Sequence, residues 1–280
     1  MNNNLNLISD ERSVSIEELY LKPYARILNL TELLPLLISP DSKKTLQIFE
    51  DNLHLSDGLF TYPIINKAPI LYPEYISKHI TSNGIELKYY DDPKQQYFLI
   101  SQIKQRGETN APSSNLHYQR HLFRMHEFVK TCEGTILDVG CDDVNISSTI
   151  FSNKCSYIGL DPFSTSTSFR VVGVGEILPF KDSSIDNVVF NTSLDHILDY
   201  YEAVKEAFRV LKPEGYIIIC TLIWLQNTSI LHDSVHFHHF KDYEINGVLR
   251  DFNFKIENTK RYTYKNDTHR YGLYISAKKP

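Results

Sequence analysis

The chain has 280 residues, 42% of them hydrophobic, and a formal net charge of -5. That is ample for one large domain with a smaller appendage, and the acidic balance excludes the global basic field with which proteins neutralise nucleic-acid phosphates. Cys132, Cys141, Cys155 and Cys220 are scattered with no CxxC pair, which argues against a disulfide framework or a zinc knuckle. The longest apolar run, residues 216–225, is half a membrane span, so a reducing cytoplasm is the expected setting.

Residues 1–80 hold short runs broken by Pro40, Pro63, Pro69 and Pro73 with no helix–strand alternation, and are expected to form a small domain of their own. Residues 81–115 are polar and mixed, a connector within which residues 89–105 have helical character. The larger domain is expected over residues 116–280. It opens with a helix at residues 117–128, on which Tyr118 or Arg120 lies near a ligand if the face is not simply packed.

From Ile136 onward, the apolar runs ILDV, YIGL, FRVVGV, NVVF and YIIICTLIW alternate with helical segments, which predicts a mainly parallel sheet covered on both faces. Between the last two runs, Tyr201, Val204, Ala207, Phe208 and Leu211 recur at helical spacing until Lys212, Pro213 and Gly215 stop the helix. A further helix is expected near Asp242 to Asp251. Two strands at residues 254–264 and 269–278, joined by Lys265, Asn266 and Asp267, read as a closing antiparallel hairpin.

The segment TILDVGCDDVN places an acid and a glycine at a strand end before a helix, where ligands bind in open α/β sheets. Followed by YIGLDP, GEILPF and EAFRVLKPEGYIII in that order, it resembles the class I S-adenosylmethionine-dependent methyltransferases of the small-molecule, type 11-like kind. The likeness spans about residues 115–278. It implies a Rossmann-like doubly wound sheet of seven strands, mostly parallel with an antiparallel C-terminal hairpin, and S-adenosylmethionine as cofactor.

Carried residue by residue, the resemblance implies that Asp138, Gly140 and Cys141 hold the methionine end. Asp161 with Pro162 takes the ribose hydroxyls, Gly175 and Glu176 border the adenine, and Asn191 lies beneath. A tight turn at Gly140 or a capped turn at Asp161 would account for those residues without a ligand. The chain departs from the family pattern at Asp142 and Val144, where glycines are usual, and at Val174, where an acid often faces the adenine amine. The segment after Asp161 is also short for the usual helix.

Methyl transfer to a hydroxyl needs a positioned nucleophile and a proton acceptor. The expected base is His196, at the end of the fourth strand, oriented by Asp195 or Asp199; packing or helix capping would also account for it. LHDSVHFHHFKDYE holds His232, His236, His238 and His239. If extended, it sends His236 and His238 to one face and His239 to the other, which does not complete a metal site. These histidines are expected to line the acceptor pocket, with no metal. His269 and Arg270 are candidates for an anionic acceptor group.

Residues 33–74 resemble the small zinc-ribbon-like proteins that activate some methyltransferases, with Ser39, Pro40, Asp41 and Ser42 where ribbon members carry CPxC. Such side chains cannot reproduce a thiolate site, so the resemblance implies a ribbon without zinc. It is expected to shape a substrate entrance or to mediate homodimer contacts. The reading as a whole is an enzyme acting on a hydroxyl of a sugar, polysaccharide precursor or specialised metabolite, with no membrane and no nucleic-acid partner. Methylation of RNA or a protein tail, and a non-catalytic binding module, are the alternatives.

Overall fold

The computed structural model describes residues 6–49, 54–74, 116–162, 169–225, 236–264 and 267–280. The expected helix at 89–105, the linker after Pro162, and His232 lie outside these residues.

The N-terminal segment supplies helix α1 (Ile16–Tyr20), the two-residue strand β1 (Arg26–Ile27), helix α2 (Leu30–Leu33), and the strands β2 (Gln47–Phe49), β3 (His54–Ser56), β4 (Thr61–Ile65) and β5 (Ala68–Pro69). Both helices are too short to stand alone, and each begins with a reciprocal capping box, Ser15 with Glu18 and Asn29 with Glu32. Strands β2 to β5 form an antiparallel meander. Its Ser39–Ser42 turn is tied by hydrogen bonds: Ser39 donates to the Tyr62 hydroxyl, Tyr62 donates to Asp41, and the Ser42 amide donates back to Ser39.

The large sheet comprises β1 with β6 (Gly134–Val139), β7 (Cys155–Asp161), β8 (Val171–Val172), β9 (Ile185–Asn191), β10 (Leu211–Trp224), β11 (Lys255–Tyr264) and β12 (Asp267–Lys278). Its order is β1-β7-β6-β9-β10-β12-β11, with β8 on the outer side of β7. All pairs are parallel except β10–β12 and β12–β11, the expected hairpin. The seven expected strands are joined by β1, which the N-terminal segment lays parallel to β7. The run FRVVGV gives only Val171 and Val172 to the sheet.

Alternation along the strands sorts side chains to two faces. Leu137, Val139, Ile158, Leu160, Val188, Phe190, Ile217 and Ile219 face one core, closed by helices α5 (Tyr200–Val210) and α6 (Asp242–Asp251). Leu28, Leu33, Leu37, Leu46, Leu55, Tyr62 and Leu71 of the N-terminal segment belong to that same core. Ile136, Tyr157, Val189 and Ile218 face the other, under α1, α3 (Leu116–Val129) and α4 (Val144–Ser148).

The meander is also stitched to the sheet by backbone bridges from Leu37 to Phe180 and from Ile70 to Val172, and Tyr72 donates to the Pro162 carbonyl. None of the described helices is long and apolar enough to cross a membrane.

Candidate functional site

Strand order reverses at β6, with β7 on one side and β9 on the other, so the chain leaves the sheet in opposite directions and opens a crevice at the carboxyl ends. A cavity of about 360 Å³ occupies that place. Asp138, Gly140, Cys141, Asp161, Pro162, Gly175, Glu176 and Asn191 all line it, as do Tyr118 and His196. Arg120 does not; its guanidinium is turned to the Glu11 carbonyl and carboxylate.

Asp138 is 1% exposed, and its Oδ2 accepts from the Tyr157 hydroxyl at 2.6 Å, on the neighbouring strand and the same face. Its Oδ1 is buried without a hydrogen-bond partner among the described residues. Burial pushes the carboxyl up to about 7, the Tyr157 bond opposes this, and the Asp161 carboxylate adds to it. A buried carboxylate with one open oxygen, lining a cavity, is suited to a cationic ligand.

The turn after β6 depends on left-handed backbone at two places. Gly140 has φ +79°, and a Cβ there would lie 2.4 Å from the Cβ of Ser193, so the glycine lets the β6 and β9 loops meet. The Gly140 and Cys141 amides are both spent on the Leu160 carbonyl, and the Cys141 thiol is buried in the core. Asp142 has φ +49°, a conformation that aspartate tolerates better than most residues, and thereby replaces the usual glycine. Its side chain is exposed, while its amide donates to Asp161 Oδ2 at 3.1 Å.

Val144, the other departure, is fully buried and does not line the cavity. It packs where Gly159 of β7 has no side chain; a Cβ at Gly159 would be 2.7 Å from both Val144 Cγ2 and Cys141 Sγ. The bulk absent at one position is present at its neighbour. Val174, in contrast, does line the cavity, beside Gly175 and Glu176. Glu176 accepts from the Asp199 amide at 3.3 Å, and burial raises its carboxyl.

Asp161 is completely buried, with Oδ1 3.8 Å from the buried Arg170 guanidinium. Part of its charge is therefore already balanced from below the crevice.

At the opposite end, Asp195 and His196 sit in a 3-10 turn, Leu194–His196, after β9. His196 lines the cavity, while Asp195 is 1% exposed beneath it. His236 enters from the distant segment before α6, its ring 4.6 Å from that of His196. The Phe237 and His238 amides donate to the Asp195 carbonyl at 2.9 and 3.2 Å, which fixes this segment over the turn. His238 Nε2 lies 2.9 and 3.0 Å from the Ile197 and Leu198 carbonyls, so that nitrogen carries the proton. His239 stacks on Trp224 at 3.9 Å. Of the three expected pocket histidines, none lines the cavity itself; Phe237 does. They buttress it from behind because the segment turns its imidazoles toward the 3-10 turn and Trp224. Arg270 pairs with Asp267 and lies over Trp224, away from the cavity.

The cavity also holds His121 and Tyr264, which sequence reasoning missed. His121 Nε2 bonds Asn191 Oδ1 and its Nδ1 bonds the Tyr274 hydroxyl, both at 2.9 Å. Because an amide oxygen only accepts, Nε2 bears the proton and Nδ1 accepts from Tyr274. Burial holds this imidazole down at about 4, so it is neutral. The legible signal was its spacing: His117 and His121 stand one turn apart on the face that also carries Leu122 and Met125.

Residues 137–219 match the family Methyltransf_11, a methyltransferase domain. The chain is 30% identical over 95 residues to the Escherichia coli "Uncharacterized protein YafE", spanning 31% of this chain and 46% of that one. It is 27% identical over 180 residues to a Mycolicibacterium smegmatis protein named "Probable S-adenosylmethionine-dependent methyltransferase", spanning 58% of this chain and 69% of the other. It thus spans under half the length of the first relative and about two thirds of the second. The structure of the [4+2]-cyclase SpnF is similar at a TM-score of 0.52 and 14% identity, over 67% of this chain and 94% of that one. This is a likeness of fold alone.

Proposed function

We propose that the chain, whose residues 137–219 match a methyltransferase domain, transfers the methyl group of S-adenosylmethionine to a hydroxyl of a small molecule, such as a sugar, a polysaccharide precursor or a specialised metabolite. The observation that carries this reading is one cavity with an open buried carboxylate oxygen at Asp138 and an imidazole, His196, at its other end.

S-adenosylmethionine, when bound, supplies an electrophilic methyl on its sulfonium. Asp138 would hold the cofactor's ammonium on its open oxygen, and Asp161 would accept from the ribose hydroxyls. Pro162 borders the ribose, and the turn Gly140–Cys141–Asp142 approaches the methionine end closely because two of its residues adopt positive φ. Gly175 and Glu176 border the adenine, with Val174 offering an apolar surface in place of an acid. Asn191, held by His121, forms the floor.

At the acceptor end, His196 takes the hydroxyl proton as the nucleophile attacks, and the Asp195 carboxylate, 4.0 Å from its Nε2, stabilises the imidazolium that forms. Leu222, Phe237 and Tyr264 line the same cavity and keep water from the reacting atoms. The net charge of -5 supports a small acceptor over a polyanion.

The test supplies methyl-labelled S-adenosylmethionine and the full chain to fractionated cell extract. Label in the low-molecular-weight fraction, stable to alkali as an ether is, is the expected result. Label in RNA or protein overturns the acceptor class.

A further inference from the structure

The function proposed above leaves His236 without a task, yet its ring and that of His196 converge on a single buried carboxylate. Asp195 Oδ1 lies 4.0 Å from His196 Nε2, and Asp195 Oδ2 lies 3.7 Å from His236 Nε2. The three ligand atoms all lie within 4.8 Å of one another. These separations exceed a hydrogen bond. They approach the roughly 3.3–3.5 Å that separates two ligands of a tetrahedral ion with bonds of about 2.0–2.1 Å. Independently, Asp195 is 1% exposed and its Oδ1 is buried with no hydrogen-bond partner among the described residues. Such an atom at the meeting point of two imidazoles calls for a cation.

We propose that Asp195, His196 and His236 bind a first-row divalent cation of the zinc, iron(II) or manganese(II) class at the acceptor end of the cavity. One carboxylate and two imidazoles are the borderline donor set that such ions prefer over magnesium or calcium. The surroundings hold the ligands as a metal site requires. Two amides clamp the Asp195 carbonyl, Trp224 meets the His236 ring edge-on at 6.3 Å, and His238 is committed to backbone carbonyls. Three protein ligands leave a position open, and His196 lines the cavity, so that position faces the acceptor.

The site rests on the proposed methyl transfer to a hydroxyl and reassigns the step that removes the hydroxyl proton. An acceptor hydroxyl in the open position is acidified by the ion and loses its proton to water, and His196 then serves as a ligand instead of a base. The oxygen's electron pair forms the new C–O bond as the S–C bond breaks. That bond's pair returns to sulfur, giving the ether and S-adenosylhomocysteine.

The experiment titrates the metal-stripped full chain with Co²⁺, read by visible absorption, and with Zn²⁺, read by equilibrium dialysis. Wild type, His236→Ala and Asp195→Asn are compared, with S-adenosylhomocysteine affinity as the check on folding. One ion per chain is expected, with intense tetrahedral cobalt bands. Affinity should fall at least about 100-fold in either variant, since loss of mere outer partners costs 10–100-fold. Should Asp195→Asn fail to fold, His236→Ala decides alone. No stoichiometric ion in the wild type, or undiminished binding in His236→Ala, overturns the site. Label transfer by the stripped and the reloaded protein separates the two readings: full transfer by the stripped protein sinks the cation only, whereas a cobalt site with no transfer to any hydroxyl by the reloaded protein sinks the acceptor assignment.

Discussion

The two ends of the cavity differ in how many stretches of chain build them. At the cofactor end, Asp138, Gly140, Cys141 and Asp142 come from one turn, Asp161 from the next strand end, and Gly175 and Glu176 from the loop after β8. Each is fixed by backbone geometry: parallel register, positive φ, amides spent on Leu160. At the His196 end, the 3-10 turn Leu194–His196 meets a segment that arrives from beyond β10, held by side chains and by two amide N–H groups donating to the Asp195 carbonyl. A site built from strand ends is rigid and shared, whereas one built from loops is where an enzyme's acceptor is chosen.

The contrast is sharpest at His196. Replacing it by alanine should lower kcat by about 10²–10⁴-fold while cofactor affinity changes little. Single-turnover methyl transfer alongside calorimetry measures both, and a matching loss of cofactor affinity would mean the two ends are not separable.

Gly140→Ala should act in the opposite sense, through the fold. The positive φ and the contact with Ser193 together predict a loss of about 2–4 kcal/mol in stability, read by denaturant unfolding, with cofactor affinity falling alongside.

Asp138→Asn removes one charged contact and should weaken cofactor binding by about 1.5–3 kcal/mol. The wild type should also bind more weakly as pH falls. Its carboxyl stands at about 7 when the site is empty, and an ammonium favours the ionised form, so affinity drops up to tenfold per pH unit below 7 and levels off above. The asparagine variant should lose this slope. The sign for folding is the reverse. The native state of the empty protein holds a proton that the unfolded chain has released above about pH 4, so Asp138 makes stability decline as pH rises from about 4 to about 7. His121, held at about 4, has the opposite effect: it contributes stability above pH 6.5 that is lost as pH falls toward 4.

Smaller effects test the two substituted glycines. Gly159→Ala should destabilise by about 1–3 kcal/mol through Val144 and Cys141, and Val144→Ala in the same chain should recover part of it, a coupling that a double-mutant cycle resolves. Asp142→Gly should raise stability by no more than about 1 kcal/mol, because glycine adopts the positive φ without strain.

The parallel sheet, its closing hairpin and the cofactor turn were legible because they are local. Period-two apolar runs, the helix stop at Lys212 to Gly215, and an acid–glycine pair at a strand end each carry their meaning in a few adjacent residues. Asp138, Asp161 and Asn191 could therefore be named from the family resemblance that these local motifs carry. Val144 and Asp142 looked like defects in the same turn, because the residue that accommodates one, Gly159, lies on another strand and the φ that accommodates the other is not written in the sequence.

What the sequence by itself determined is the alternation of strands and helices, which follows from hydrophobic period, while the domain type and its cofactor follow from the family that its motifs resemble. Only the tertiary structure decided that β1 joins the large sheet, that Leu28, Leu33, Leu37, Leu46, Leu55, Tyr62 and Leu71 share its core, that His121 holds Asn191, and that His196 and His236 converge on Asp195. Those are contacts between segments far apart in the chain. No local period encodes them, because they arise when two faces of one sheet must each be covered by whatever apolar surface the rest of the chain supplies.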